Sequence, residues 1–388
     1  MINQKTRKKI YDLWSEGYSS RHICEKLGWP KTRKSTVNDI ISKDRKDGNF
    51  EFIAARQAKQ IRTLQVKNTT LRRLHRYNVD ETQYQDDMLS GIDKAAKRIA
   101  KSKNNNRFPP FVTNKDAEIA TLEVLISDLQ IGKVTEDYNT RVAEQRIIEY
   151  GRSIYQTLSS PKYIFEKVVI GLMGDLVEDH MKHGIQSAIS TDNGLSEQIS
   201  NAMYCLWDYI IKPIAMTGVK VDLVCVAGNH GSSQHKGMDM FKAGRYSYDY
   251  AIYKGLEKFC EIAGYNNVDF DIPEGVFGLH HIYGKAVLYE HGYFNNATEK
   301  SMGDQLKKRS EQIKEYIEYF RIGDMHHLIS YNCGKMILNG AFFGNDTSGT
   351  EYSGILGFSA IPAQAMMVHC PQEEDRKNTI REFIPVQL

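Results

Sequence analysis

The stretch KVVIGLMGDLVED, residues 167–179, decides how this chain is read. Its first half is apolar almost without a break, as a strand buried on both faces requires, and it ends at Gly174 followed at once by Asp175. Four other runs repeat the pattern. TLEVLISDLQ (121–130) ends in Asp128 and Gln130, and VDLVCVAGNHG (221–231) ends in Asn229 and His230. KAVLYEHGYF (285–294) carries His291, and EYFRIGDMHH (318–327) carries Asp324 and His326. Strands that alternate with helical stretches imply an α/β fold, where ligands bind at the carboxyl ends of the strands. Five such ends bearing Asp, Asn, Gln and His can converge on one spot, and that arrangement is a metal site.

The order of these segments resembles the calcineurin-like metallophosphoesterase superfamily, whose signature is D-x-H, G-D, G-N-H, H and G-H-x-H. The likeness covers roughly residues 118–388. It implies a two-sheet β-sandwich flanked by helices that holds two divalent metal ions. On this resemblance Asp175 is the bridging ligand. Asp128, Gln130 and His326 complete one metal, and Asn229, His291 and Asp324 complete the other. His230 resembles the family's catalytic histidine, which stabilises the transition state or protonates the leaving oxygen. Two positions depart from the pattern: Gln130 stands where histidine is usual, and Asp324 stands where the first histidine of the last motif belongs, with His327 as the alternative if the register shifts.

Chemistry explains the residue types. A phosphodiester repels an attacking hydroxide, and two cations about 3.5–4 Å apart can activate a water and neutralise the developing charge together. Asp324 adds a third carboxylate, so the site remains positive with two divalent ions but is a weaker Lewis acid. Gln130 offers a carbonyl oxygen, a harder donor than imidazole that cannot be protonated away. The two changes favour Mn2+ or Mg2+ over zinc. A glutamine at this position also occurs in the manganese-dependent ADP-ribose and CDP-alcohol diphosphatases of the superfamily. Every ligand position keeps an oxygen or nitrogen donor, so a working site is expected.

The 388 residues have a net charge of only +3, which hides a division. Residues 1–115 hold 26 Lys and Arg against 12 Asp and Glu, while residues 116–388 hold 25 against 36. A basic segment ahead of an acidic body suggests an arm for a polyanion, nucleic acid first. In its first fifty residues Ile10, Leu13 and Trp14 share one helical face. Ser20 can cap a second helix that ends at Gly28 and Pro30, and a third helix spans about Lys34 to Ile41. This rhythm resembles the helix-turn-helix of resolvases and small terminase-type domains, which implies a third helix in the major groove. Arg33, Lys34, Thr36 and Asn38 are then the expected DNA-binding residues. The expected organisation is an all-α DNA-binding domain at 1–47, a basic helical connector and linker at 48–115, and the metal domain at 116–388. In the connector, Ile61, Leu64, Leu71 and Leu74 form a seam that offers a means of homodimerisation, and KSKNNNRFPPF (101–111) reads as linker.

No apolar run approaches the roughly 18–20 residues of a membrane span, and MINQKTRKKI has no signal-peptide core, so a cytoplasmic protein with no membrane partner is expected. The six cysteines are scattered, as for reduced thiols. EDHMKHG (178–184) reads as a solvated rim, and the tail segments NGAFFGND (339–346) and IPAQAMMV (361–368) are similar to those of phage-type members of the superfamily. The leading expectation is a two-metal phosphodiesterase acting on DNA, a nuclease of phage or prophage type. The alternatives are a nucleotide or cyclic-nucleotide phosphodiesterase and a non-catalytic DNA-binding regulator or packaging protein.

Overall fold

The computed structural model describes residues 2–16, 18–46, 86–102, 116–179, 191–231, 244, 247–292, 298–344, 360–371 and 378–388. Two units divide between Gln83 and Tyr84. The sequence places this division near residue 115, and the difference has a physical cause given below.

The first unit contains helices α1 (Gln4–Ser15), α2 (Ser20–Lys26) and α3 (Lys34–Lys46), with a short 3-10 turn at Lys31–Arg33. Ile10, Tyr11, Ile23, Cys24, Val37 and Ile40 form its core, each contributed at helical spacing. The cap of α2 is Ser19, whose side chain accepts from the His22 backbone N–H, rather than Ser20. Ser20 instead donates to Asn38 Oδ1 at 2.5 Å, so the Asn38 side chain is tied to α2. Arg33 lies in the turn before α3, over the Trp29 ring. Arg33, Lys34 and Asn38 are exposed and Thr36 is half-buried. The seam at Ile61 to Leu74 lies outside the described residues.

In the second unit β1 (Glu118–Ile126), β2 (Tyr163–Leu172), β3 (Lys220–Cys225) and β4 (Val268–Asp271) run parallel, with β10 (Ala363–His369) antiparallel beside β1 and β11 (Ile380–Gln387) antiparallel beside β10. The sheet order is β11-β10-β1-β2-β3-β4. The second sheet comprises β5 (Phe277–Ile282), β6 (Lys285–Glu290), β7 (Ile317–Ile322), β8 (Ile329–Tyr331) and β9 (Met336–Leu338), in the order β5-β6-β7-β9-β8. Side chains alternate between faces along each strand, which explains the unbroken apolar runs. Val168, Ile170 and Leu172 of β2 face a helical layer, while Val169 and the following Met173 join Leu125, Val224, Val287 and Tyr289 between the sheets.

The helical layer includes α4 (86–101), α5 (Thr140–Leu158), α6 (Leu195–Cys205), which passes through a π-helical turn (Leu206–Ile211) into α7 (Lys212–Ala215), and α8 (Tyr248–Ala263). Helix α9 (Glu299–Ile313) covers the other sheet through Met302 and Leu306. The outcome is the expected two-sheet sandwich flanked by helices. Helix α4 explains the shifted boundary. Ala95 is buried in the large core, a Cβ on Gly91 would lie 2.8 Å from Ile199, and Arg98 donates to Asn201 at 2.7 Å while stacking on Tyr204. It belongs to the second unit. No described helix is long and apolar enough to cross a membrane. All six cysteines are free, and only Cys333 is exposed.

One buried charge cluster ties the sheets together. Glu123 of β1 receives Arg321 of β7 in a two-point pair, Nε to Oε1 and Nη2 to Oε2, each at 2.9 Å. Tyr289 donates to Oε1 at 2.7 Å, and His369 Nε2 lies 2.9 Å from Oε2. Burial pushes the Glu123 carboxyl up, but Arg321 and His369 outweigh it and hold it down at about 2. A carboxylate held below its ordinary 4.5 contributes stability that is fully present above 4.5 and is lost as pH falls toward about 2. Glu123→Gln leaves Arg321 buried without its counter-charge, and the expected loss in urea unfolding at pH 7 is about 3–5 kcal/mol. The difference between variant and wild type should shrink as pH falls through that window; a constant difference would contradict the assignment.

Candidate metal centre

Each strand end delivers its side chain by a sharp turn. Asp128, Gln130, Asp175, Asp324 and His326 have φ values of 55°, 39°, 54°, 65° and 59°, in the left-handed region that non-glycine residues avoid. Such conformations cost of order 1–3 kcal/mol each and persist only where the surroundings over-determine them. Here they are held by backbone bonds between turns: Asp128 N to Gly174 O at 3.1 Å, Gln130 N to Asp175 O at 2.9 Å, and Phe342 N to Asp128 O at 3.1 Å. Glycine permits the approach. A Cβ on Gly228 would lie 2.1 Å from Asp175 Oδ1, and one on Gly174 would lie 2.2 Å from Gly228 N.

The turns bring the predicted side chains to one place. Donor atoms of Asp128, Asp175 and His291 all lie within 4.8 Å of one another, and the three residues are buried. Asp175 Oδ2 is 3.1 Å from His291 Nε2, and His291 Nε2 is 3.6 Å from Asp324 Oδ1. Asn229 donates through Nδ2 to Asp324 Oδ1 at 2.6 Å. His326 Nε2 lies 3.6 Å from Asp128 Oδ1. His291 Nδ1 meets the Met173 carbonyl at 2.6 Å, which fixes the ring with Nε2 toward the carboxylates, the orientation a metal-binding histidine needs. Gln130 is wholly buried beside this group, its backbone bonded to the Asp175 carbonyl.

The residues fit a bound cation. Asp128 Oδ1 and both amide atoms of Gln130 are buried with no hydrogen-bond partner among the described residues, and Asp175 Oδ2 is buried facing His291 Nε2. Orphaned polar atoms of this kind cost about 1–3 kcal/mol each, more when charged. Burial pushes Asp128 up to about 7, with Asp175 adding to the rise and His291 opposing it. Asp175 goes the other way: burial raises it, but His291 and His230 prevail and hold it well below the carboxylate range. Burial also raises Asp324. Carboxylates crowded this closely cannot all ionise on their own, and a divalent ion would remove the conflict. Oxygen donors from Asp128, Gln130, Asp175, Asn229 and Asp324 with the imidazoles of His291 and His326 make a hard, mixed donor set that a divalent cation would fit.

Several residues of the centre carry no signal of their own in the sequence. Glu178, read there as solvated rim, is buried; its carbonyl lies 3.0 Å and its Oε2 3.4 Å from His230 Nδ1. Burial lowers His230, but Glu178 and then Asp175 outweigh it and raise the imidazole to about 9. Lys133, 3% exposed, lies 3.7 Å from Glu178 Oε2 and over the Phe343 ring. The tail segments also acquire a physical role. Gln364 Oε1 accepts from Ser127 N at 3.1 Å and Asn339 Nδ2 at 2.6 Å, and its Nε2 donates to Gly340 O at 2.7 Å. This buried amide network anchors the turn that begins at Ser127 and presents Asp128. His180 and His183 of the EDHMKHG segment lie outside the described residues.

No family model matches the chain, and no curated protein matches it. Solved structures that it resembles include an archaeal phosphodiesterase, 12% identical over 69% of this chain and 99% of that one, TM-score 0.31. Vacuolar protein sorting 29 from Cryptosporidium parvum is 13% identical over 69% and 99%, TM-score 0.28. A predicted phosphoesterase from Streptococcus pneumoniae is 11% identical over 69% and 98%, TM-score 0.27. Likenesses this weak do not establish a family.

Calorimetric titration with Mn2+ should find two sites on the wild-type chain. Asp175→Asn should abolish tight binding at both if Asp175 bridges them, as the resemblance implies. Asp324→Ala should weaken one ion, and Asp324→His should keep two ions while shifting preference toward Zn2+. Two undiminished sites in Asp324→Ala would make Asp324 a bystander and move the role to His327.

Proposed function

We propose that the chain is a metal-dependent phosphodiesterase of the calcineurin-like type that hydrolyses nucleic-acid phosphodiester bonds. The observation that supports this most is the convergence of the buried Asp128, Asp175 and His291, with unsatisfied atoms of Asp128 and Gln130, at the ends of strands from both sheets. Bound there, two divalent ions would supply charge neutralisation and an ionised water. Asp175, with Asp128, Gln130 and His326 on one side and Asn229, His291 and Asp324 on the other, would hold them.

The chain's own contribution centres on His230. Glu178 engages Nδ1, and on this reading Nε2 is the nitrogen that would meet the substrate. An imidazole raised to about 9 is protonated at neutral pH, which suits proton donation to the leaving oxygen. Its backbone N–H donates to Asp175 Oδ1 at 2.7 Å, so acid and bridging carboxylate are held at fixed separation.

Substrate class is inferred from charge. Residues 1–83 carry 19 Lys and Arg against 9 Asp and Glu, whereas residues 84–388 carry 32 against 39. An acidic catalytic unit has little affinity for DNA by itself, and the trihelical unit would provide phosphate contacts. Arg33 and Lys34 are exposed for this purpose; Asn38 reads a base edge only with the amide group not held by Ser20. Mn2+ is the favoured ion, and the role is that of a phage-type DNA nuclease working in the host cytoplasm.

Residues 84–388 should hydrolyse bis-p-nitrophenyl phosphate in Mn2+ within about tenfold of the full chain, a barrier difference of about 1.4 kcal/mol. On DNA at about 0.15 M salt the truncated form should lose far more, and full-length binding should weaken steeply with added salt through counterion release. Equal activity on DNA would remove the arm from substrate delivery and favour a nucleotide phosphodiesterase; no hydrolysis of any ester would leave a DNA-binding protein.

A further inference from the structure

We propose that Asp249, at the start of α8, is a positioning residue for the metal centre, clamping the turn that bears Asp175 to the turn that bears Asn229 and His230. The proposal rests on the phosphodiesterase reading above. Asp249 is wholly buried. Its Oδ2 accepts from Asp175 N at 3.0 Å and Gly228 N at 2.8 Å, and its Oδ1 accepts from Leu176 N at 3.1 Å. One carboxylate thus receives three backbone N–H groups from two separate turns. The link continues through Asp175, whose own Oδ1 accepts from His230 N.

Local sequence is shaped to admit this contact. Ser247 Oγ caps α8 by accepting from Asp249 N at 3.1 Å, a bond to the backbone and not to the carboxylate. A Cβ on Gly231 would lie 2.9 Å from Ser247 Oγ and 3.3 Å from Asp249 Oδ1, so the glycine after His230 is what lets the helix approach. Tyr248 N closes the junction on Gly231 O at 2.7 Å. Asp249 offers no atom to a metal or a substrate, since its oxygens are committed to the backbone. It acts through the residues it holds. An amide in its place supplies one acceptor oxygen and sets an NH2 group against backbone N–H, so the two turns separate while the helix and core remain.

Full-length wild type, Asp249→Asn and Ser247→Ala are compared by Mn2+ calorimetry, hydrolysis of bis-p-nitrophenyl phosphate and thermal melting. Asp249→Asn should weaken Mn2+ binding and lower kcat by about 10–100-fold, the usual cost of losing a group that orients metal ligands, with KM within about threefold. Ser247→Ala, which removes the helix cap at the same junction, should lower the melting temperature but leave Mn2+ affinity and kcat within about threefold. An active wild type matched by a folded Asp249→Asn variant overturns the positioning role and leaves the phosphodiesterase reading standing. A wild type that neither binds Mn2+ nor cleaves the ester overturns that reading and the proposal with it. Should Asp249→Asn not fold, amide hydrogen exchange in the metal-free wild type decides: slow exchange at residues 175, 176 and 228 supports the clamp, and exchange at open-loop rates overturns it.

Discussion

Two carboxylates, Asp128 and Asp175, are buried close enough to disturb each other's ionisation, and the rest of the second unit is arranged around that conflict. Both are buried; among the described residues His291 lies 3.1 Å from Asp175 Oδ2, while Asp128 Oδ1 has no hydrogen-bond partner. Left-handed turns, close glycine contacts and interlocking backbone bonds keep the groups from relaxing apart. A fold that spends conformational energy on holding like charges together is built for an ion of opposite sign.

The same sandwich contains a second buried acid with the opposite outcome. Glu123 lies between the sheets, where Arg321, His369 and Tyr289 answer both of its oxygens. That carboxyl is held low and its partners are complete, so it fastens the two sheets. At the strand ends, by contrast, Gln130 contributes an amide whose atoms find nothing among the described residues. The contrast separates structural from functional charge by satisfaction rather than by burial, since both groups are fully enclosed.

Much of this was legible in the sequence because strand periodicity is local. Runs such as KVVIGLMGD announce their strand and the residue at its end, and five of them in order put Asp128, Asp175, Asn229, His291 and Asp324 at strand ends. What was missed depends on tertiary contact. Gln364 reaches Ser127 across 237 residues of chain, and nothing in IPAQAMMV signals that its glutamine braces a turn. Glu178 stands in a polar loop that reads as solvated, yet His230 and Lys133 enclose it. Helix α4 stands just ahead of the linker-like stretch 101–111, and its membership in the second unit rests on Ala95 and Arg98 finding α6 and Tyr204. Ser19 displaced Ser20 as a cap because adjacent serines are equivalent to a pattern and distinct only to a backbone.

The two units carry opposite net charge, and it is on the proposed function that this asymmetry would link the chemistry to a polyanionic substrate. The central claim, however, concerns the ions. Anomalous diffraction from crystals of the full chain grown with Mn2+ tests it most directly. Two peaks that share Asp175, one beside Asp128 and His326 and the other beside His291 and Asp324, are expected. A centre with no peak, or a single ion bound away from Asp175, would contradict the account.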